Sequence, residues 1–131
     1  MQPTKLSPEL EMFTTRRVAV VEADRAAAEM LHMFFRLMEL ECSLVDHGSS
    51  AVPALRRLRP NVLILDLDLP QSRALEIARE LRAFLPALPV IYLTDLEPPA
   101  GLTPVMAKPH GRFEDLLRLF EVVLAVEGTG S

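Results

Sequence analysis

Cysteine is nearly absent from this chain: Cys42 is the only one in 131 residues, so no internal disulfide and no thiolate metal cluster can hold the fold together. It is read as a small buried or half-buried apolar side chain. Long apolar runs are missing as well. None approaches the roughly 18 residues of a membrane span, and residues 1–11 are polar, without the apolar centre of a secretory signal. The expectation is a cytoplasmic protein with no membrane partner. Positive charge is scarce: the formal net charge is -4 and the pI about 5.4. Such a balance exerts no general attraction on nucleic acid, and no direct nucleic-acid contact is expected. The one basic cluster, Arg56, Arg57 and Arg59, suits a helix end, where the helix dipole favours cations.

What is present suffices for one folded domain. Apolar residues make up 50% of the chain, and eleven prolines exclude a bundle of long helices. Residues 1–16 lack sustained periodicity and are expected to form a flexible leader to a domain at 17–127, with a short tail at 128–131. Val18, Ala19, Val20 and Val21 form a short strand that ends in Glu22-Ala23-Asp24. Ala27, Met30, Leu31, Phe34, Phe35 and Met38 recur at helical spacing, which predicts a helix with one buried face, capped by Asp24. A weaker strand over 42–45 precedes a helix capped by Ser49 or Ser50, with Pro53 in its first turn and Ala54, Leu55 and Leu58 inward. Residues 62–65 are unbroken apolar sequence bounded by Pro60 and Asp66, as in a parallel strand covered on both faces. Ser72 is expected to cap a helix reaching about residue 84 and packing through Leu75, Ala78 and Leu81. Strands over 90–93 and 105–107 follow, then an amphipathic helix marked by Phe113, Leu116, Leu117, Phe120 and Leu124. Residues 95–104 hold three prolines and a glycine and cannot form a normal helix, so the sheet should be thinly covered there.

Alternating strands and helices imply a parallel sheet whose strands share a carboxyl edge. Glu22, Asp66, Thr94 and Lys108 each lie at or just past such an end. Strand ends commonly carry polar residues, and an unrelated set is one reading. The other is chemical: a carboxylate can attack a phosphoryl group, magnesium can bridge carboxylate and phosphoryl oxygens, and a lysine and a threonine can hold the remaining oxygens.

Val-Val-Glu at 20–22, Leu-Asp-x-x-Leu-Pro around Asp66, Leu-Thr at Leu93 and Thr94, and Ala-Lys-Pro at 107–109 occur in order. Together they resemble the receiver domain of two-component response regulators, over about residues 17–126. The resemblance implies an α/β three-layer sandwich with a five-stranded parallel sheet of flavodoxin-like order 2-1-3-4-5, here with its fourth helix shortened or absent. It also implies Asp66 as phosphoacceptor, Glu22 as outer member of an acidic pair, Thr94 as switch hydroxyl and Lys108 as phosphoryl-contacting lysine. Magnesium would be held by Glu22, Asp66 and Asp68, the last through its backbone carbonyl or, as a substitute, its carboxylate. Several residues depart from the family pattern. Ala23 stands where the second metal-binding acid is usual, so Mg2+ binding should be weak or absent. Asp95 replaces a small residue, Val105 replaces the aromatic switch residue, and the Gln71-Ser72-Arg73-Ala74 loop lacks the usual glycine and its backbone freedom.

The functional expectation is an atypical single-domain receiver that takes a phosphoryl group on Asp66 from a histidine kinase or phosphotransfer protein, as in a phosphorelay. It would signal through protein contacts, with at most autocatalytic phosphotransfer and dephosphorylation rather than conventional enzyme activity. The alternative is a pseudo-receiver, a phosphorylation-independent binding or dimerisation module, for which Ala23, Asp95 and Val105 argue. Asp66-Leu67-Asp68 also matches the Asp-x-Asp of haloacid-dehalogenase-type phosphatases, but the acids beyond Lys108 do not follow a further strand. No helix-turn-helix effector is expected after the last helix. Without the fourth helix, the Leu119, Val122 and Val126 side of the last helix is expected either to be less covered, a patch suited to a homodimer or a docked partner, or to pack on the adjoining sheet or on the leader. His110 lies near the active edge, while His32 and His47 fall elsewhere.

Overall fold

The computed structural model describes residues 16–129; residues 1–15 of the leader expected at 1–16, and residues 130–131 of the tail expected at 128–131, lie outside the described residues. In chain order the elements are β1 (Arg17–Val21), α1 (Arg25–Leu37), β2 (Glu41–Leu44), α2 (Ala51–Leu58), β3 (Val62–Asp66), a 3-10 turn (Pro70–Ser72), α3 (Arg73–Arg82), β4 (Val90–Thr94), β5 (Val105–Ala107) and α4 (Phe113–Thr129). All strands pair in parallel, in the order β2-β1-β3-β4-β5. Successive side chains alternate between faces, as strand geometry requires. Val18, Val20, Val62, Ile64, Ile91 and Leu93 join the core beneath α1 and α4, and Ala19, Val21, Leu63, Leu65, Val90 and Tyr92 join that beneath α2 and α3. Burial on both faces is why β3 reads as continuous apolar sequence.

Asp24 caps α1 as expected, accepting the Ala26 N–H at 2.9 Å and the Ala27 N–H at 3.2 Å. Four other local expectations are corrected. Ser50 occupies the cap position of α2 but makes no capping bond, and the buried stripe there is Ala51, Val52 and Leu55 rather than Leu58. Ser72 does not cap α3, because its backbone is left-handed at φ 56° and its side chain makes no capping bond. The inward stripe of α3 is Ala74, Ile77, Ala78 and Leu81, with Leu75 exposed. The kinked entry at Pro70–Ser72 sets the rotational phase of this helix, and Arg73 fixes it by donating to the carbonyls of His47 at 3.0 Å and Gly48 at 2.8 Å.

Gln71 at φ 57° precedes Ser72 in the same left-handed region, where an L side chain costs on the order of 1 kcal/mol per residue. Replacing Ser72 by glycine is therefore expected to raise stability by roughly 0.5–1 kcal/mol, less than the strain itself because glycine loses more entropy on folding. A urea midpoint unchanged or lowered by Ser72→Gly would show that the turn is not strained at this residue.

Residues 95–104 connect β4 to β5 without a helix. The face left open is closed by side chains: Tyr92 is 1% exposed, with Leu102 and Val105 partly buried beside it. Of the two arrangements expected for the last helix, packing against the core is the one found. Leu119 is 1% exposed within the α1-side core, and Val122 and Val126 pack partly buried against it. The last helix lies on the sheet face opposite the shortened crossover, so losing that helix does not strip it.

Candidate functional site

Strand register builds the site. Val21 is opposite Leu65, Asp66 opposite Leu93, and Thr94 opposite Ala107, so β1, β3, β4 and β5 end together. Glu22, Asp66, Thr94 and Lys108 consequently meet at one edge. The Lys108 Nζ lies 2.9 Å from Asp66 Oδ1, 3.5 Å from Asp68 Oδ2 and 3.7 Å from Glu22 Oε1. Asp66, only 2% exposed, also accepts the Asp68 N–H at 2.9 Å on Oδ1 and the Ala23 N–H at 3.3 Å on Oδ2. Glu22 accepts the Asp24 N–H at 2.9 Å.

The two buried acids divide the charge unequally. Burial pushes the Glu22 carboxyl up to about 7, assisted by its hydrogen bond to Asp66 and that neighbour's charge. Burial works the same way on Asp66, but the hydrogen bonds from Glu22, Lys108 and the two N–H groups outweigh it and hold Asp66 below the usual carboxylate value. Asp66 is thus the ionised member of the pair at neutral pH and Glu22 is partly protonated. Burial opposes the Lys108 charge too; the hydrogen bond to Asp66 and the three surrounding carboxylates overcome it and raise its pKa.

A pH dependence follows. Glu22 titrates near 4.5 when exposed and near 7 in the fold, so it binds its proton more tightly in the fold. Its contribution to stability is complete below pH 4.5 and disappears as pH rises toward 7. Glu22→Gln keeps a neutral hydrogen-bonding group. In metal-free buffer it is expected to flatten stability between pH 5 and 7 and to add on the order of 2 kcal/mol at pH 8. Parallel pH profiles for the variant and the parent in urea melts would contradict this assignment.

Asp68 turns toward the end of β4. Its Oδ1 accepts the Thr94 hydroxyl at 2.5 Å and its Oδ2 the Asp95 N–H at 2.9 Å. Thr94 Oγ1 in turn accepts the Leu96 N–H at 2.9 Å. The Asp95 carboxylate leaves the central cluster and meets His110 Nε2 at 2.7 Å, both side chains largely exposed. Val105 is half-buried under the α2 and α3 face, and Ala23 contributes its N–H to Asp66 but no side-chain oxygen. Sequence reasoning placed Glu22, Asp66, Thr94 and Lys108 at this edge but missed the direction of the Asp68 side chain and the Asp95–His110 pair. A carboxylate two residues past Asp66 was the available signal; its orientation depends on the loop.

Magnesium is commonly held by one or two carboxylates with water completing its shell. Glu22, Asp66 and the Asp68 carbonyl are donors of that chemistry and fit a weakly held ion, because Ala23 adds no oxygen and the Lys108 ammonium already offsets the charge. Among the described residues no three His, Cys, Asp or Glu side chains converge in a metal-ready geometry.

A five-stranded parallel sheet in this order, with acids and a lysine at its carboxyl edge, defines a doubly wound α/β protein whose site lies where that class places its ligands. The chain belongs to the response regulator receiver domain family, whose model it matches over residues 18–106. It is 37% identical over 110 residues to the probable transcriptional regulatory protein TcrX of Mycobacterium tuberculosis, covering 78% of this chain and 47% of that protein. Over 79 residues it is 37% identical to the DNA-binding response regulator MtrA of Mycolicibacterium smegmatis, covering 60% of this chain and 34% of that one. The chain thus spans about a third to a half of these relatives. Among solved structures it resembles the chemotaxis response regulator CheY4 of Vibrio cholerae, with TM-score 0.72, 22% identity and coverage of 84% and 99% of the two chains. The receiver domain of Francisella response regulator 1452 is similar at TM-score 0.74 and 18% identity, with coverage of 89% and 100%.

These relatives correct the expectation of no direct nucleic-acid contact. MtrA is named as DNA-binding and TcrX as a transcriptional regulator, so that expectation is withdrawn. It rested on the net charge of this chain, and the charge of a receiver portion carries no information about a DNA contact made by other parts of such proteins. Among the described residues no helix is long and apolar enough to cross a membrane.

Proposed function

We propose that this domain is an atypical receiver that accepts a phosphoryl group on Asp66 from a histidine kinase or a phosphotransfer protein, in the cytoplasm, and passes the signal on through protein contacts. The observation that carries this reading is the state of Asp66: a buried carboxylate kept ionised by hydrogen bonds from Glu22, from Lys108 at 2.9 Å and from two backbone N–H groups. An Asp66 oxygen attacks phosphorus, the bond to the donor imidazole nitrogen breaks, and the nitrogen retains the electron pair. Lys108 is positioned to neutralise charge on the transferred oxygens. A magnesium ion on Glu22, Asp66 and the Asp68 carbonyl would add further neutralisation, weakly for want of an acid at Ala23.

The test is intact-protein mass and peptide mapping after incubation with a small acyl phosphate and magnesium. One phosphoryl adduct mapping to Asp66 is expected, formed slowly and dependent on magnesium. An adduct elsewhere would move the acceptor to another residue; none, with the donor in large excess and with a kinase partner supplied, would favour the second reading, a phosphorylation-independent binding module. That reading is supported by the Asp68 carboxylate, which already engages Thr94 and Lys108.

A further inference from the structure

The Asp68 side chain makes three contacts with groups an incoming phosphoryl group would need. The Thr94 hydroxyl at 2.5 Å, the Asp95 N–H at 2.9 Å and the Lys108 ammonium at 3.5 Å all face one carboxylate. They come from the end of β4, the residue after it, and the residue after β5. Lys108 is shared, lying 2.9 Å from Asp66 on its other side. A hydroxyl, an amide and an ammonium converging beside a nucleophilic carboxylate form a cradle for an oxyanion. Here the oxyanion is supplied by the chain itself.

We propose that Asp68 is a tethered anion that occupies the oxyanion cradle of Thr94, Asp95 and Lys108, holding the domain closed to phosphoryl transfer until it is displaced. The regulatory part rests on Asp66 being the phosphoacceptor; the existence of the cradle does not. Held two residues from Asp66, the Asp68 carboxylate competes intramolecularly, at an effective concentration no free anion in solution approaches. A phosphoryl group arriving on Asp66 must take over these donors and drive the Asp68 carboxylate outward, because the Thr94 hydroxyl has one proton to donate and the Asp95 N–H one, and a second anion at that range is repelled. That displacement would release Thr94 and the Asp95 amide from Asp68 and move the start of the 95–104 crossover, which hangs on the same residues through the Leu96 N–H bond to Thr94. Asp68 therefore acts here through its side chain as a competitor, separately from its carbonyl.

Two measurements test this. In the first, the initial rate of adduct formation from a small acyl phosphate is compared for the parent and Asp68→Ala. Vacating the cradle should raise the rate about tenfold. An equal or lower rate, or an increased magnesium requirement, would overturn the proposal, since it would make the carboxylate idle or a metal ligand. In the second, inorganic phosphate is titrated into 15N-labelled Asp66→Asn and Asp66→Asn/Asp68→Ala proteins, so that no charge on residue 66 repels it. Phosphate should shift the Asp95 amide strongly in the double variant and at least tenfold more weakly in the single one. Equal or absent shifts in both would refute the cradle. If the double variant binds phosphate but neither the parent nor Asp68→Ala forms an Asp66 adduct, the cradle holds and the phosphoacceptor reading fails.

Discussion

Asp66→Asn is expected to abolish the phosphoryl adduct while leaving the fold intact. An amide oxygen is a poor nucleophile, and a side chain without negative charge cannot form the acyl phosphate. The effect should be complete within detection rather than partial, because neither nearby carboxylate is free to substitute. Burial, the largest cause of the raised Glu22 value, persists in the variant although the contribution of the Asp66 charge is lost, and Asp68 is engaged by Thr94, Asp95 and Lys108. The fold should survive because asparagine can still accept from the Asp68 N–H, which is 2.9 Å from Asp66 Oδ1. Circular dichroism and a urea melt beside the mass measurement check this. An adduct persisting in a folded Asp66→Asn protein would move the acceptor to another residue.

Lys108→Met is expected to have the largest effect on stability. Among the described residues the lysine is the one cation paired with Glu22, Asp66 and Asp68, and its side chain is 15% exposed. Removing one partner of a buried ion pair leaves the other uncompensated, typically at a cost of about 3–5 kcal/mol. Methionine keeps most of the volume, so little of the loss should come from a cavity. The sign with pH is definite. The lysine is charged across the neutral range, so its contribution is fully present there and is lost as pH rises from about 10.5 through its raised value in the fold. In the variant, the uncompensated acids can instead be relieved by protons. The deficit should therefore be greatest near pH 8 and shrink as pH falls through the range in which Glu22 and then Asp66 protonate. A deficit independent of pH would mean that packing rather than charge governs Lys108. Phosphoryl uptake at Asp66 should fall as well, since the same ammonium serves the transferred oxygens.

Legibility in the sequence varied with the distance over which each feature is determined. The ends of β1, β3, β4 and β5 could be placed because apolar runs stop abruptly at charged or hydroxyl residues, and a parallel sheet aligns those ends whatever the loops do. Glu22, Asp66, Thr94 and Lys108 met accordingly. The phase of α3 was not readable: Leu75 and Ala74 both fit an apolar stripe, and the kink at Gln71 and Ser72 turns Ala74 inward. Equally hidden was the cover of Leu119, since the sequence spacing that removes the helix between β4 and β5 says nothing of which sheet face is exposed by its loss.

Local pattern by itself determined the element order, the five-stranded parallel architecture, the missing crossover helix and the identity of the acids and lysine at the carboxyl edge. Those depend on periodicity, on proline and glycine chemistry, and on where hydrophobic runs end, all of which act over a few residues. Tertiary structure alone decided which donors each carboxylate faces. Glu22 holds its proton more tightly because it is buried against Asp66, and Asp68 reaches Thr94 because the loop after β3 brings it to the end of β4. Charges and hydrogen bonds act through space and depend on burial, so their outcome appears only when distant segments are brought to within a few ångströms.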